Sequence, residues 1–131
     1  MTTAAPTNAI AAVAEELVSL CRAGRNMDAI NSLYSPEIVS VESMGNEAMP
    51  REVKGVDAVR SKNQWWAENN EVHSATVDGP FIGDDKFAVY YNYDATFKPM
   101  SKRNNMEEMA LYTVKDGKIV REQFFYRTSE T

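Results

Sequence analysis

Glu42, Glu108 and Glu122, the one histidine and a run of tyrosines are the side chains in this sequence whose types and spacing together could do acid–base chemistry. Glu108 and Glu122 flank Lys115-Asp116-Gly117, and an Asp-Gly between alternating apolar runs is a strong hairpin signal. With that hairpin in register, the two carboxylates lie on adjacent strands. If both face inward they repel, so one holds a proton or both need a cationic or hydroxyl partner, and Tyr112 and Tyr126 are hydroxyls within reach. The same pattern suits a buried polar network that only fixes the hairpin. Glu42 is the penultimate residue of the stretch IVSVES. In an aromatic cavity a carboxylate loses hydration, so its pKa rises towards neutrality and suits proton transfer. In water it would pair with Arg51 or Lys54. His73 is the one histidine. It could shuttle a proton or donate to a substrate oxygen, or be a partly exposed strand residue bonded to a neighbour.

Other chemistries find little support. No HxH or ExxH spacing favours a metal held by His73 and glutamates. Neither a phosphate-cradling loop, a dinucleotide fingerprint nor a Ser/His/Asp arrangement is present, so no cofactor is expected. A net charge of −5 argues against nucleic acid and anionic membrane as partners, both of which call for clustered Lys and Arg. The lone Cys21 cannot close an internal disulfide and suits a reducing cytoplasm. On an apolar helix stripe it is a small buried hydrophobe. The first residues lack the basic start of a signal peptide, and no apolar run approaches membrane-spanning length.

The elements that must position these groups follow from periodicity. Past a loose tail over residues 1–7, Thr7 or Asn8 caps a helix whose stripe is Ile10, Val13, Ala14, Leu17, Leu20 and Cys21, and Gly24 stops it. A short helix spans residues 27–34 and ends before Pro36. A strand covers residues 38–43, with Ile38, Ser40 and Glu42 on one face. Residues 44–54 read as a loop, and Val56–Asn69 as a third helix. A strand over residues 71–77 bends at Asp78-Gly79-Pro80 and continues through Phe81-Ile82. Three long strands follow, over residues 86–97, 105–114 and 118–127. In the first of them Phe87, Val89, Tyr91, Tyr93, Ala95 and Phe97 share one face. Helices first and an antiparallel run afterwards make one α+β domain, a curved antiparallel sheet with the N-terminal helices laid across one face.

That order, together with the words GRNMDAINSLYSPEIVSVES, GVDAVRSKNQWW, VDGPF and VKDGKIVREQFFY, resembles the SnoaL-like and ketosteroid-isomerase-like members of the nuclear transport factor two-like superfamily. The resemblance covers roughly residues 8–127. It implies a cone-shaped, cystatin-like roll with a deep apolar pocket on the concave side and a convex side that commonly forms a dimer. In ketosteroid isomerases a general-base carboxylate ends the first strand, a few residues after a Leu-Tyr or Met-Tyr pair. Counting from Leu33-Tyr34 places Glu42 there, or Ser43 with a slip of one residue, and strand parity favours Glu42. The positions of that family's two oxyanion donors match Leu17 and Ala110, so steroid isomerisation by that mechanism is not expected. The family's pocket face implies inward positions for Glu42, His73, Phe87, Val89, Tyr91, Tyr93, Glu108, Tyr112, Glu122, Phe124 and Tyr126, with Trp65 or Trp66 closing the lid side.

The expectation is a SnoaL-like, cofactor-independent enzyme of isomerase, cyclase or dehydratase type acting on an apolar, oxygen-bearing small molecule. Glu42 would be the base, assisted by His73 or a tyrosine, with Glu108 as the alternative carboxylate. The competing expectation is a non-catalytic ligand-binding or dimerisation module. Ile119 and Phe125 fall on one side of the last strand and Val120, Phe124 and Tyr126 on the other. With Met109, Leu111 and Tyr90 outward, this predicts a homodimer through the convex face.

Overall fold

The computed structural model describes residues 5–45, 47 and 49–126, with side chains from residue 9 onward. Helices α1 (Ala5–Arg22) and α2 (Asn26–Leu33) lead directly into β1 (Tyr34–Val41). Then come β2 (Glu52–Lys54), α3 (Val56–Asn69), β3 (Asn70–Ile82), β4 (Lys86–Phe97), β5 (Lys102–Lys115) and β6 (Lys118–Phe125). Helix α1 starts before the expected Thr7 or Asn8 cap. The first four residues of the expected tail lie outside the described residues.

The strands form one curved, open sheet in the order β2-β1-β6-β5-β4-β3. β3 to β6 pair antiparallel, as their hairpins require. β1 runs parallel to β6, so the sheet is mixed and not purely antiparallel as expected. No hairpin joins those two strands. The direction of β1 is set by α2, whose C-terminal cap, Tyr34, is already the first residue of the strand. Part of the expected 44–54 loop is strand β2, which folds back on β1 through Val41–Glu52 and Ser40–Val53 pairs.

The Asp-Gly hairpin forms as expected. Asp116 and Gly117 both take positive φ, 53° and 78°, which matches a tight turn to the twist of the flanking strands. Lys115 then faces Lys118 across the turn. The bend at Asp78-Gly79-Pro80 is a register break inside a continuous β3.

All six stripe residues of α1 are buried, against Val77 of β3 and Phe87, Val89 and Tyr91 of β4. Fully buried side chains such as Leu17 and Phe87 each contribute about 1.5–3 kcal/mol through burial. The opposite, convex face of β4 carries a polar ladder to β5: Tyr90 to Glu107 at 2.5 Å, Asn105 to Asn92 at 2.7 Å and Arg103 to Asp94 at 2.7 Å.

Ile119 does not share the outward face expected for it with Phe125. Arg121 pairs with Thr113 but Ile119 with Val114, which leaves Val120 as an extra residue. A bulge of one residue reverses the face of what precedes it, so Ile119 turns into the core and is fully buried, while Phe125 stays outside. No helix among the described residues is long and apolar enough to cross a membrane.

Candidate active site

A cavity of about 360 Å³ opens between the concave face of the sheet and the three helices. Leu17, Ala29 and Ile30 from α1 and α2 give it an apolar floor, while Trp66 of α3 and Tyr91 and Tyr93 of β4 form an aromatic wall. The rings of Tyr91 and Tyr93 stack with centroids 5.9 Å apart, and Trp66 meets Tyr93 at 5.6 Å. The remaining wall is polar and ionisable.

Its centre is Lys62. This residue follows buried Val59 by three positions and precedes Trp66 by four, so the three share one helix face. Its ammonium donates to Glu42 Oε2 at 2.6 Å and to Ser40 Oγ at 2.7 Å, and lies 5.5 Å from the Phe124 ring centre. The single proton of Ser40 goes to Glu122 Oε2 at 2.7 Å, which leaves the serine oxygen to accept from Lys62. Tyr34 donates to the other oxygen of Glu122. Tyr126 donates to Glu42 Oε1 at 2.9 Å. An unbroken chain of hydrogen bonds therefore runs Tyr34–Glu122–Ser40–Lys62–Glu42–Tyr126. Glu122 is 1% exposed. Burial lifts its carboxyl above the ordinary value, against the pull of the Tyr34 and Ser40 bonds and of Lys62. The buried carboxylate persists because both of its oxygens are bonded.

Glu108 is different. It stands on β5 directly across from Tyr91, lines the same cavity, and has no hydrogen-bond or ion-pair partner among the described residues. Burial raises its carboxyl from 4.5 to about 7, helped by the charges of Glu42 and Glu122 and opposed by Lys62. A carboxyl poised there exchanges a proton readily near neutral pH. Deeper still, Tyr91 bonds Tyr112 at 2.7 Å and contacts Cys21 Sγ at 3.7 Å. Burial drives both tyrosines well above their usual value and the thiol to about 11. These groups are structural neutral donors, not acids.

Eight of the residues expected at the site converge on this cavity: Glu42, Trp66, Tyr91, Tyr93, Glu108, Glu122, Phe124 and Tyr126. Five do not. Phe87, Val89 and Tyr112 are inward but buried in the core beneath it, with Phe87 stacked on Tyr112 at 4.9 Å. Trp65 sits one helical step, about 100°, away from Trp66; it is 42% exposed and lies against Phe97. His73 is on the convex side. Val72 pairs with Ala95 and Ser74 with Asp94, so His73 is the extra residue of a bulge. Its exposed ring bonds Thr96 Oγ1 at 2.7 Å.

The two hairpin glutamates do lie on adjacent strands, but the Ala110–Phe124 pair stands between them and Glu122 faces Tyr112. The hydroxyls serving Glu122 are those of Tyr34 and Ser40, while Tyr126 serves Glu42. Glu42 pairs with Lys62, not with Arg51 or Lys54. The i+3/i−4 spacing of Lys62 from Val59 and Trp66 was the signal that could have found it. Ser40 was legible by parity with Ile38 and Glu42. Among the described residues no group of three His, Cys, Asp or Glu side chains is placed to hold a metal ion.

Comparison with known proteins agrees with this architecture. No curated protein matches the chain. A crystal structure of a candidate SnoaL-like polyketide cyclase from Mesorhizobium loti is 39% identical with a TM-score of 0.84, over 89% of this chain and 98% of that one. A candidate isomerase from Bacillus subtilis superposes with a TM-score of 0.74 at 12% identity, covering 93% and 88% of the two chains. A protein of unknown function with a cystatin-like fold from Xanthomonas campestris gives 0.72 at 17% identity, covering 89% of each; these last two speak to fold alone. The model of the SnoaL-like domain matches residues 8–126, and with a helix-covered curved sheet enclosing an ionisable cavity, the chain belongs to the SnoaL-like family.

Proposed function

We propose that this protein is a SnoaL-like enzyme that performs cofactor-independent proton transfer, of isomerase, cyclase or dehydratase type, on an apolar, oxygen-bearing small molecule held in the cavity. The observation that carries the reading is Glu108, a carboxyl without a partner among the described residues and held at about 7, in a cavity with an apolar floor and an aromatic wall that also presents the Lys62 ammonium. Glu108 takes up or delivers the proton. Lys62 uses two of its three N–H donors on Ser40 and Glu42, so the third is available to a developing oxyanion. Glu42, expected to be the base, has one oxygen bonded to Lys62 and the other to Tyr126. We assign it to holding those two donors in place.

The test is solvent-deuterium exchange at the α-carbon of apolar β-dicarbonyl compounds, followed by mass spectrometry. Wild-type protein should accelerate exchange above buffer, and Glu108→Gln should lower the rate by about 10²-fold or more. Full activity in Glu108→Gln with an inactive Glu42→Gln would return the base to Glu42. No acceleration by wild type across the panel would favour the second reading, a non-catalytic binding or dimerisation module. One feature favours that module: Leu17 and Ala110, the positions that the resemblance matches to the steroid isomerases' oxyanion donors, are buried apolar residues.

A further inference from the structure

We propose that the cavity is also a binding site for hydrophobic amines, with the ligand's ammonium group seated on Glu108 beside the rings of Tyr91, Tyr93 and Trp66. The proposal concerns the cavity described above but does not require turnover.

Hydrogen-bond accounting leads to it. Of the three carboxylates lining the cavity, Glu122 has both oxygens satisfied by Tyr34 and Ser40, and Glu42 has both satisfied by Lys62 and Tyr126. Glu108 has neither, among the described residues. A ligand that completes this site brings N–H or O–H donors to Glu108. Charge then selects among donors. Three carboxylates share the cavity with one ammonium, and Lys62 is already committed to Glu42 at 2.6 Å. A cation is attracted by the excess and an anion is repelled.

The surroundings of Glu108 fit a cation with apolar substituents. Tyr91 is its cross-strand partner and Tyr93 belongs to the next inward position, paired with Met106. Burial, with the nearby Cys21 and Glu108, pushes the hydroxyl of Tyr93 well above its usual value, so it stays neutral. Trp66 meets the ring of Tyr93. Aromatic groups attract a desolvated ammonium through their ring quadrupoles, and Leu17, Ala29 and Ile30 accommodate the apolar remainder. The charged groups facing Glu108 are Glu42, Glu122 and Lys62; Tyr34, Tyr91, Tyr93, Tyr126 and Cys21 are the neutral titratable ones.

Ammonium binding requires Glu108 ionised, so below about pH 7 the ligand must displace its proton and affinity falls about tenfold per pH unit. The experiment is calorimetric titration of the full chain with 2-phenylethylamine, 2-phenylethanol and 3-phenylpropionate between pH 5.5 and 8. The amine should bind at least about tenfold more tightly than the alcohol at pH 8, the carboxylate should not bind, and Glu108→Gln should remove the amine's advantage together with its pH dependence. Should that variant fail to fold, carbon NMR of labelled glutamates in wild type decides: saturating amine moves the titration near 7 to well below 6. Equal binding of amine and alcohol, or an unmoved titration, overturns the proposal. It leaves the proton-transfer reading intact, because that reading is judged on exchange with neutral carbonyl probes.

Discussion

Replacing Glu108 with Gln should make the folded protein more stable at pH 8 while removing the proton-transfer group. Burial lifts the Glu108 carboxyl from 4.5 to about 7, so the native state holds that proton more tightly than the unfolded chain does. This stabilising contribution is whole below about 4.5 and is lost as pH rises through about 7. The rise from 4.5 to about 7 corresponds to about 3–4 kcal/mol, at about 1.4 kcal/mol for each tenfold change in proton affinity. Gln keeps the shape and cannot ionise, so it avoids the desolvation of a bare carboxylate. Most of that contribution is still present at pH 5 and nearly all of it is gone by pH 8, so the gap between variant and wild type should widen by about 2–3 kcal/mol over that range. The assay is urea unfolding followed by tryptophan fluorescence. With a slope of about 1–3 kcal/mol per molar, the variant's midpoint should rise by about 1 M relative to wild type at pH 8. A variant equally or less stable than wild type at pH 8, or a gap that does not change with pH, would refute the reasoning, because neither outcome is compatible with a carboxyl held protonated by burial. The expected combination of greater stability and lost proton transfer is the usual trade at a site built around a strained charge.

Lys62→Met should destabilise the fold by about 1–3 kcal/mol, between the values for exposed and fully buried ion pairs, since the Lys62–Glu42 side chains are 15% and 24% exposed. The same variant should move the Glu108 titration above about 7, because Lys62 is the one cation lowering it; carbon NMR of labelled glutamates checks this, and a lower value would contradict the assignment. We also read the convex face as a homodimer contact, since Met109 and Phe125 are 40% and 47% exposed beside each other in the β5–β6 pair. Wild type should sediment at about twice the monomer mass at micromolar concentration, and Phe125→Glu as a monomer; a monomeric wild type would remove the proposal.

Much of this arrangement follows from the sequence by itself, and the reason is that its determinants are local. The 3.6-residue stripe of α1, the alternation along β4 and the Asp-Gly turn each act over a few residues, and together they place Tyr91, Tyr93, Glu108, Glu122 and Phe124 on the concave face. Strand parity, however, propagates only until one extra residue enters. The bulges at His73 and Val120 reverse the faces of His73 and Ile119, and no turn signal marks either. Parity also separates inside from outside without separating core from cavity, which is why Phe87, Val89 and Tyr112 point inward yet do not line the cavity. The chemistry of the site depends on contacts between distant segments. Ser40 and Glu122 lie 82 positions apart and Glu42 and Lys62 lie 20 apart. They meet because β1 docks parallel to β6 while α3 crosses β1. Which carboxylates are satisfied, and which one is left open at about 7, was therefore decided by tertiary packing: desolvation and hydrogen-bond pairing are properties of the assembled cavity.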